Sequence, residues 1–104
     1  MWGGIMAESQ HRTEEETRLF EAFCTLQAPQ EVRAFLLDLC SKKEIQDLAQ
    51  RLEMAHLLDA GASYLEVSKA TGASSTTVSR VSKCLNGPVG GYRVVLKRLK
   101  EQSD

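Results

Sequence analysis

Several features that define large classes of protein are missing from this 104-residue sequence. No apolar run approaches the roughly 18 residues that a membrane-spanning helix needs, and residues 1–6 are too short for a signal peptide. The three cysteines lie far apart without a Cys-x-x-Cys pair, and the two histidines are isolated, so neither a disulfide framework nor a zinc site is supported. We therefore expect a soluble protein of the reducing cytoplasm, without a metal or a membrane partner.

Strand patterns and catalytic groupings are missing as well. Apolar residues recur at helical spacing, and no segment has a strand pattern, so the sequence predicts an all-α fold of about six helices. We find no nucleophile–base set, no paired catalytic carboxylates and no metal ligands, and we expect no enzymatic activity. A chain of this length forms one domain and buries only about 60–65% of its unfolded surface, which favours dimerisation.

The net charge of −1 conceals an uneven distribution along the chain. Residues 1–40 contain three arginines and seven acidic side chains, whereas residues 41–100 contain ten cations and five acidic side chains. Solvated helix faces explain much of this pattern. A basic C-terminal half nevertheless suits a surface that contacts phosphates, because such contacts depend on local charge.

Three capping boxes of the form Ser/Thr-x-x-Glu mark predicted helix starts, at Thr13, Ser41 and Ser63. The predicted helices cover about 13–26, 29–39, 41–59 and 64–70, then the stretch from Gly72 to Leu85 and a last helix from Tyr92 onward. Residues 1–12 lack any periodicity. We therefore expect a disordered N-terminal segment there and one helical domain over 13–104.

The helix predicted over 41–59 is apolar around much of its circumference. One face carries Ile45, Leu48, Ala49, Leu52 and Ala55, and this face is widened by Met54, Leu57 and Leu58. Such a helix needs cover on more than one side. A second subunit is the obvious source of that cover in so short a chain, and we expect Met54 to lie in the dimer core.

Residues 63–85 predict a helix-turn-helix. We expect the helix over 64–70 to end at Gly72, because glycine adopts at little cost the left-handed backbone that ends many helices. The expected wedge between the two helices consists of Val67, Ala70, Val78 and Val81. The second helix turns small hydroxyls and cations outward, and so short a polar edge can lie deep in a DNA major groove.

The helix order and four stretches of this sequence resemble the Trp repressor family, and within it the YerC/YecD-type branch. The stretches are 48–52 (LAQRL), 72–81 (GASSTTVSRV), 83–86 (KCLN) and 91–99 (GYRVVLKRL). With the helix order, the resemblance covers about 15–100. It implies an intertwined homodimer in which the first, second, third and last helices of two chains interlock. Two helix-turn-helix units then face a palindromic double-stranded DNA operator.

The resemblance also implies a pocket for a corepressor. The positions that match the pocket of tryptophan-binding members are Ser41, Arg51, Thr77, Arg80 and Cys84. Guanidinium planes such as those of Arg51 and Arg80 stack on an indole and grip a carboxylate. Val81, however, stands where those members have a glycine against the ligand, and its branched side chain would fill space that an indole needs. We therefore expect no cofactor, with tryptophan or another small amino-acid-like corepressor as the alternative.

The residues expected at the DNA lie on the outer faces of the helix-turn-helix. They are Ser74, Ser75, Thr76, Ser79 and Arg80 at the major groove, and Tyr64, Ser68, Lys69 and Lys83 near the DNA phosphate backbone. Hydroxyls both donate and accept, so we expect DNA shape to supply part of the specificity. The main hypothesis is a sequence-specific DNA-binding transcriptional regulator, a repressor that acts as a homodimer.

Other interpretations stay open. Arg51 can pair with Asp47 one helical turn away, and simple solvation explains Lys69 and Lys83 as well as phosphate contact does. The Tyr64 hydroxyl can contact a phosphate, or the side chain can form a surface cap over the hairpin. The whole chain also has an alternative function, a protein-interaction module on a helix-turn-helix scaffold, which the acidic N-terminal half favours.

Overall fold

The structure is a computed structural model that describes residues 13–103. Over that range it contains six α-helices and no β-strand, which confirms the all-α prediction. Helices α1 to α6 span Glu14–Cys24, Pro29–Leu39, Lys42–Asp59, Tyr64–Thr71, Ser75–Leu85 and Gly91–Ser103. The segment 1–12, for which we predict disorder, lies outside the described residues. Across the described part, no helix combines the length and the apolarity that crossing a bilayer requires.

The three predicted capping boxes begin α1, α3 and α4. In α1 the Glu16 backbone N–H donates to the Thr13 hydroxyl oxygen at 3.1 Å, and the Thr13 N–H donates to the Glu16 carboxylate at 2.8 Å. Ser41 begins α3 and Ser63 begins α4 through the same pair of bonds with a glutamate three residues on. Each box satisfies amides that a helix start leaves unpaired, so the local sequence determines where these helices begin.

A small core lies where α3 meets α4, α5 and α6. Its buried side chains are Met54, Ala55, Val67, Val78, Val81, Leu85 and Leu96. Met54 is fully buried within the single chain, so its predicted place in the dimer core is wrong, because α4 and α5 cover that side of α3. Ala70 is exposed and does not belong to the wedge. Val67 is the residue of α4 that is buried in this core, and the Thr71 backbone carbonyl accepts a hydrogen bond from α3.

Helices α1 and α2 contribute no buried side chain. Phe23 of α1 and Phe35 of α2 pack edge to face, with ring centroids 5.2 Å apart and ring planes at 71°. Large apolar side chains are exposed on α1, α2, α3 and α6 in the single chain: Phe20, Phe23, Leu37, Leu39, Leu48, Leu52, Val95 and Leu99. These four helices therefore carry most of the large apolar side chains that are exposed in the described part of the chain, and such side chains on neighbouring helices mark an interaction surface.

The chain divides into a head, formed by α4, the turn 72–74 and α5, and a body, formed by the other four helices. Gln50 of α3 donates from its side-chain amide to the Thr71 carbonyl at the end of α4, at 2.8 Å. Arg93 of α6 donates from its guanidinium to the Leu85 carbonyl at the end of α5. The last carbonyls of a helix have no partner within it. The body thus supplies a donor to the C-terminal end of each head helix.

Candidate nucleic-acid interface

A glycine turn sets the path of the chain between α4 and α5. Gly72 has a φ of +77°, the left-handed conformation predicted for it, and its N–H donates to the Ser68 carbonyl at 2.9 Å. The Ser68 hydroxyl donates to the Ala73 carbonyl at 2.5 Å. Ser74 caps α5 by accepting from the Thr77 N–H at 3.2 Å. Polar contacts therefore hold the chain on both sides of the glycine.

Helix α5 has one buried face and one open face. Val78, Val81 and Leu85 lie in the core, as predicted. The opposite face carries Ser75, Thr76, Arg80 and Lys83 as exposed side chains, with Ser79 partly buried. The side chains in the first turn are short, so the backbone of α5 can approach a groove closely.

The head concentrates positive charge in a chain that is slightly negative as a whole. Between residues 64 and 85 there are three cations, Lys69, Arg80 and Lys83, and all three are exposed. Glu66 is the single carboxylate in the same range. The resulting positive local potential favours contact with negatively charged phosphate groups.

Two residues predicted near the phosphates are engaged inside the head. The Tyr64 hydroxyl donates to the Ser82 side-chain oxygen at 2.7 Å, which agrees with the interpretation as a cap over the hairpin. The Ser68 hydroxyl is bonded within the turn. Sequence reasoning misses Ser82, which is 8% exposed, although its spacing from Val78 and Leu85 places it on the same buried stripe. A phosphate contact by Tyr64 or Ser68 stays a prediction.

The residues matched to the corepressor pocket come from α5 and from α3 with its cap. Ser41 caps α3, and the Thr77 hydroxyl is hydrogen-bonded to the Ser74 hydroxyl at 3.0 Å. The remaining three, Arg51, Arg80 and Cys84, are exposed. Val81 is 4% exposed and lies in the core. Its branched side chain is therefore packed in the interior, whereas these three side chains are open to solvent.

Arg51 and Cys84 lie near Tyr92, which the sequence marks only as the start of the last predicted helix. Tyr92 is partly buried near the start of α6, and burial raises the pKa of its phenol. The neighbouring Cys84 raises this pKa further, and the Arg51 cation opposes the shift. Leu52, Cys84 and Tyr92 help to line an apolar groove of about 690 Å³.

Asp47 forms its ion pair with Lys43, and not with Arg51 as considered from the sequence. Asp47 accepts from the Lys43 ammonium at 2.7 Å, one turn earlier on α3. Among residues 13–103, the His, Cys, Asp and Glu side chains form no group that would hold a metal ion. The exposed polar side chains of the head are mainly hydroxyls and cations.

The capping box of α4 contains a titratable group whose ionisation supports the head. Hydrogen bonds with Ser63, first through its backbone N–H and then through its hydroxyl, hold the pKa of the Glu66 carboxyl below its ordinary value. Because the folded-state pKa is lowered, this carboxylate stabilises the fold at pH values above the ordinary carboxyl pKa. That contribution is lost as the pH falls through the lowered value.

We expect Glu66→Gln to lower the free energy of unfolding at neutral pH and to have less effect as the pH falls into the carboxyl range. Denaturant unfolding of the wild-type protein and the variant, at matched concentration over a pH series, measures the difference in their free energies of unfolding. The titration of the other carboxylates is common to both proteins and cancels in this difference. Glu21→Gln, a change in the middle of α1, serves as the control. A Glu66→Gln effect that is the same at every pH would contradict the assignment.

These features define a class of protein. A helix-turn-helix with a polar, basic outer face is carried on a helical body whose apolar surface is open. A family model described as Trp repressor protein matches residues 12–100, and the chain therefore belongs to this family.

Similar proteins agree with the family assignment. YerC, an uncharacterized protein of Bacillus subtilis (strain 168), is 43% identical over 90 residues, which cover 86% of this chain and 86% of YerC. The crystal structure of a TrpR like protein from Eubacterium eligens ATCC 27750 has a TM-score of 0.82 and 37% identity, covering 88% of this chain and 95% of that one. A Staphylococcus aureus structure has the same TM-score, 35% identity, and coverage of 88% and 92%. These likenesses identify a Trp-repressor-like protein of the YerC type and support a DNA-binding regulator.

Proposed function

We propose that the protein is a cytoplasmic, sequence-specific DNA-binding repressor that acts as a homodimer. The observation that carries the proposal is α5, which buries one face in the core and exposes hydroxyls and two cations on the other, without a carboxylate. The groove-facing set is Ser74, Ser75, Thr76, Ser79 and Arg80. Lys69 and Lys83 flank this set and meet the phosphates.

A second copy of the chain covers the apolar surface of the body in this proposal. Leu52 lines three grooves, with volumes of about 440, 690 and 790 Å³, and so belongs to several parts of that surface. Burying such a surface removes apolar area from water, which drives association. Two heads related by two-fold symmetry also match a palindromic operator, whose half-sites lie about 34 Å apart.

The proposed repressor works without tryptophan. Two observations support this: Val81, the position matched to a glycine at the ligand, is packed in the core, and Gln50 and Arg93 bond the head to the body. Operator affinity should therefore be the same with and without L-tryptophan. A clear gain in affinity with L-tryptophan would restore the corepressor alternative.

Replacing Lys83 with alanine should weaken binding to all DNA sequences and reduce the slope of log affinity against log salt by about one. The reason is that one exposed cation releases about one counterion from the DNA. Mobility shifts over a salt series on genomic fragments measure both quantities. Lys97→Ala, a lysine change on the exposed side of α6, should leave the slope unchanged.

Two results, one from this series and one from a pull-down, would count against the proposal. Failure of the wild-type protein to bind any genomic fragment at low salt would remove the DNA-binding function. A protein partner retained in a pull-down that retains no DNA would support the protein-interaction module instead.

A further inference from the structure

We propose that Tyr64 and Ser82 form a positioning pair, which fixes the angle between α4 and α5 and acts on DNA recognition without touching DNA. This inference rests on the proposed DNA-binding function and assigns Tyr64 a role there other than a phosphate contact. It also adds Ser82, a buried residue, to the residues that determine specificity.

The pair joins the start of α4 to the C-terminal half of α5, two segments that lie far apart along the chain. Tyr64 is the first residue of α4, and Ser82 lies in the C-terminal half of α5. Their side chains are hydrogen-bonded at 2.7 Å across 18 residues of sequence. The turn at Gly72 connects the other ends of the same two helices. Core side chains such as Val67 and Val78 pack between the two helices, and the hydrogen bond at the end opposite the turn resists a change in their angle.

Ser82 is held in place from a second direction. The Asn86 side-chain amide donates to the Ser82 carbonyl at 2.9 Å and approaches the Ser82 hydroxyl oxygen at 3.5 Å. Asn86 also forms the C-cap of α5. Ser82 is 8% exposed and lies among the core side chains Val78, Val81 and Leu85, so it cannot reach a phosphate itself. Any effect of Ser82 on DNA binding must therefore act through the position of α5.

The chemistry of the tyrosine hydroxyl argues in the same direction. A phosphate oxygen accepts hydrogen bonds only, and a tyrosine has one proton to donate. In the head that proton is directed to the Ser82 oxygen. A phosphate contact through the same proton would keep the link only if the bond reversed, with the Ser82 hydroxyl donating to the Tyr64 oxygen. Experiment separates a positioning role from a direct contact, because a phosphate contact carries no sequence information.

A double-mutant cycle with Tyr64→Phe and Ser82→Ala tests the pair, because residues that act through one bond give non-additive effects. The measured quantity is the ratio of affinities for the best-bound genomic duplex and for a shuffled duplex of the same length. Each single change should lower this ratio roughly 3–10-fold, the range expected for one net hydrogen bond. The double variant should lose no more than either single variant. All variants are compared at a temperature at which circular dichroism shows them folded.

Ser103→Ala provides the matched control, since it removes a hydroxyl that donates only to carbonyls of its own helix, α6. It should leave the ratio unchanged. Tyr64→Phe that weakens both duplexes equally would show a direct phosphate contact, and losses that multiply in the double variant would show that the two side chains act independently. Either result would overturn the inference alone. Two single variants with wild-type ratios would overturn it as well. Failure of the wild-type protein to bind any duplex would overturn the proposed function, and the inference with it.

Discussion

Leu52→Glu should convert the protein from a dimer into a monomer and weaken operator binding by roughly 10²–10⁴-fold, because two linked heads that bind together gain about this factor in avidity. Leu52 is 36% exposed in the single chain and lines three apolar grooves on the described part of the chain. A glutamate there is solvated in a monomer. In a dimer it would be an unpaired charge within an apolar interface, which is strongly unfavourable.

Sedimentation equilibrium gives the mass, and mobility shifts with the best-bound duplex give the affinity. Leu65→Glu is the matched control for the mass, because Leu65 is 65% exposed on α4 and lines none of these three grooves. The control should remain dimeric. A wild-type protein with the mass of one chain, or a Leu52→Glu variant with the mass of two, would refute the proposed interface.

Met54→Ala should lower the free energy of unfolding by about 2–5 kcal/mol, the cost of truncating a fully buried large side chain and leaving a cavity. Met54 is 0% exposed and touches the core formed by α3, α4 and α5, so the loss falls where the head joins the body. Denaturant unfolding at one fixed protein concentration measures it, since the stability of a dimer depends on concentration.

Leu65→Ala is the comparison for this change. It truncates an exposed leucine in the head, and its effect should stay within about 0.5 kcal/mol of zero. Similar losses for the two variants would mean that Met54 is not the centre of the core. A Met54→Ala variant that loses stability but still dimerises would agree with its burial within one chain.

The sequence correctly predicts those features of the fold that depend on residues close together in the chain. The second helix runs over 29–39 in both the prediction and the structure. Capping boxes bond at Thr13, Ser41 and Ser63, and Gly72 has the left-handed backbone. Each of these features depends on residues within four positions of one another, so spacing and residue type are enough to find it.

The parts that depend on contacts between helices are less accessible to sequence reasoning. An apolar stripe shows that Met54 is buried, but it does not tell whether α5 or a second chain covers it. The same limit explains Ala70, which fits the helical spacing of a wedge yet is exposed in the structure.

The candidate site shows the same division. The outward hydroxyls and cations of α5 follow from helical periodicity, so their exposure is predictable. The bonds of Tyr64 with Ser82 and of Gln50 with Thr71 span 18 and 21 residues. No local pattern contains them. Ser82 is the informative case, because a serine on an apolar stripe indicates a buried polar group that needs a partner elsewhere.

The bonds from Gln50 and Arg93 have a consequence for the operators that the protein can occupy. Because both head helices are attached to the body at their C-terminal ends, the heads cannot swing outward or inward without losing these bonds. In the proposed dimer, the distance between the two reading helices is therefore fixed by the protein. An operator with one base pair more between its half-sites is longer by about 3.4 Å, and the DNA itself has to bend or untwist to fit.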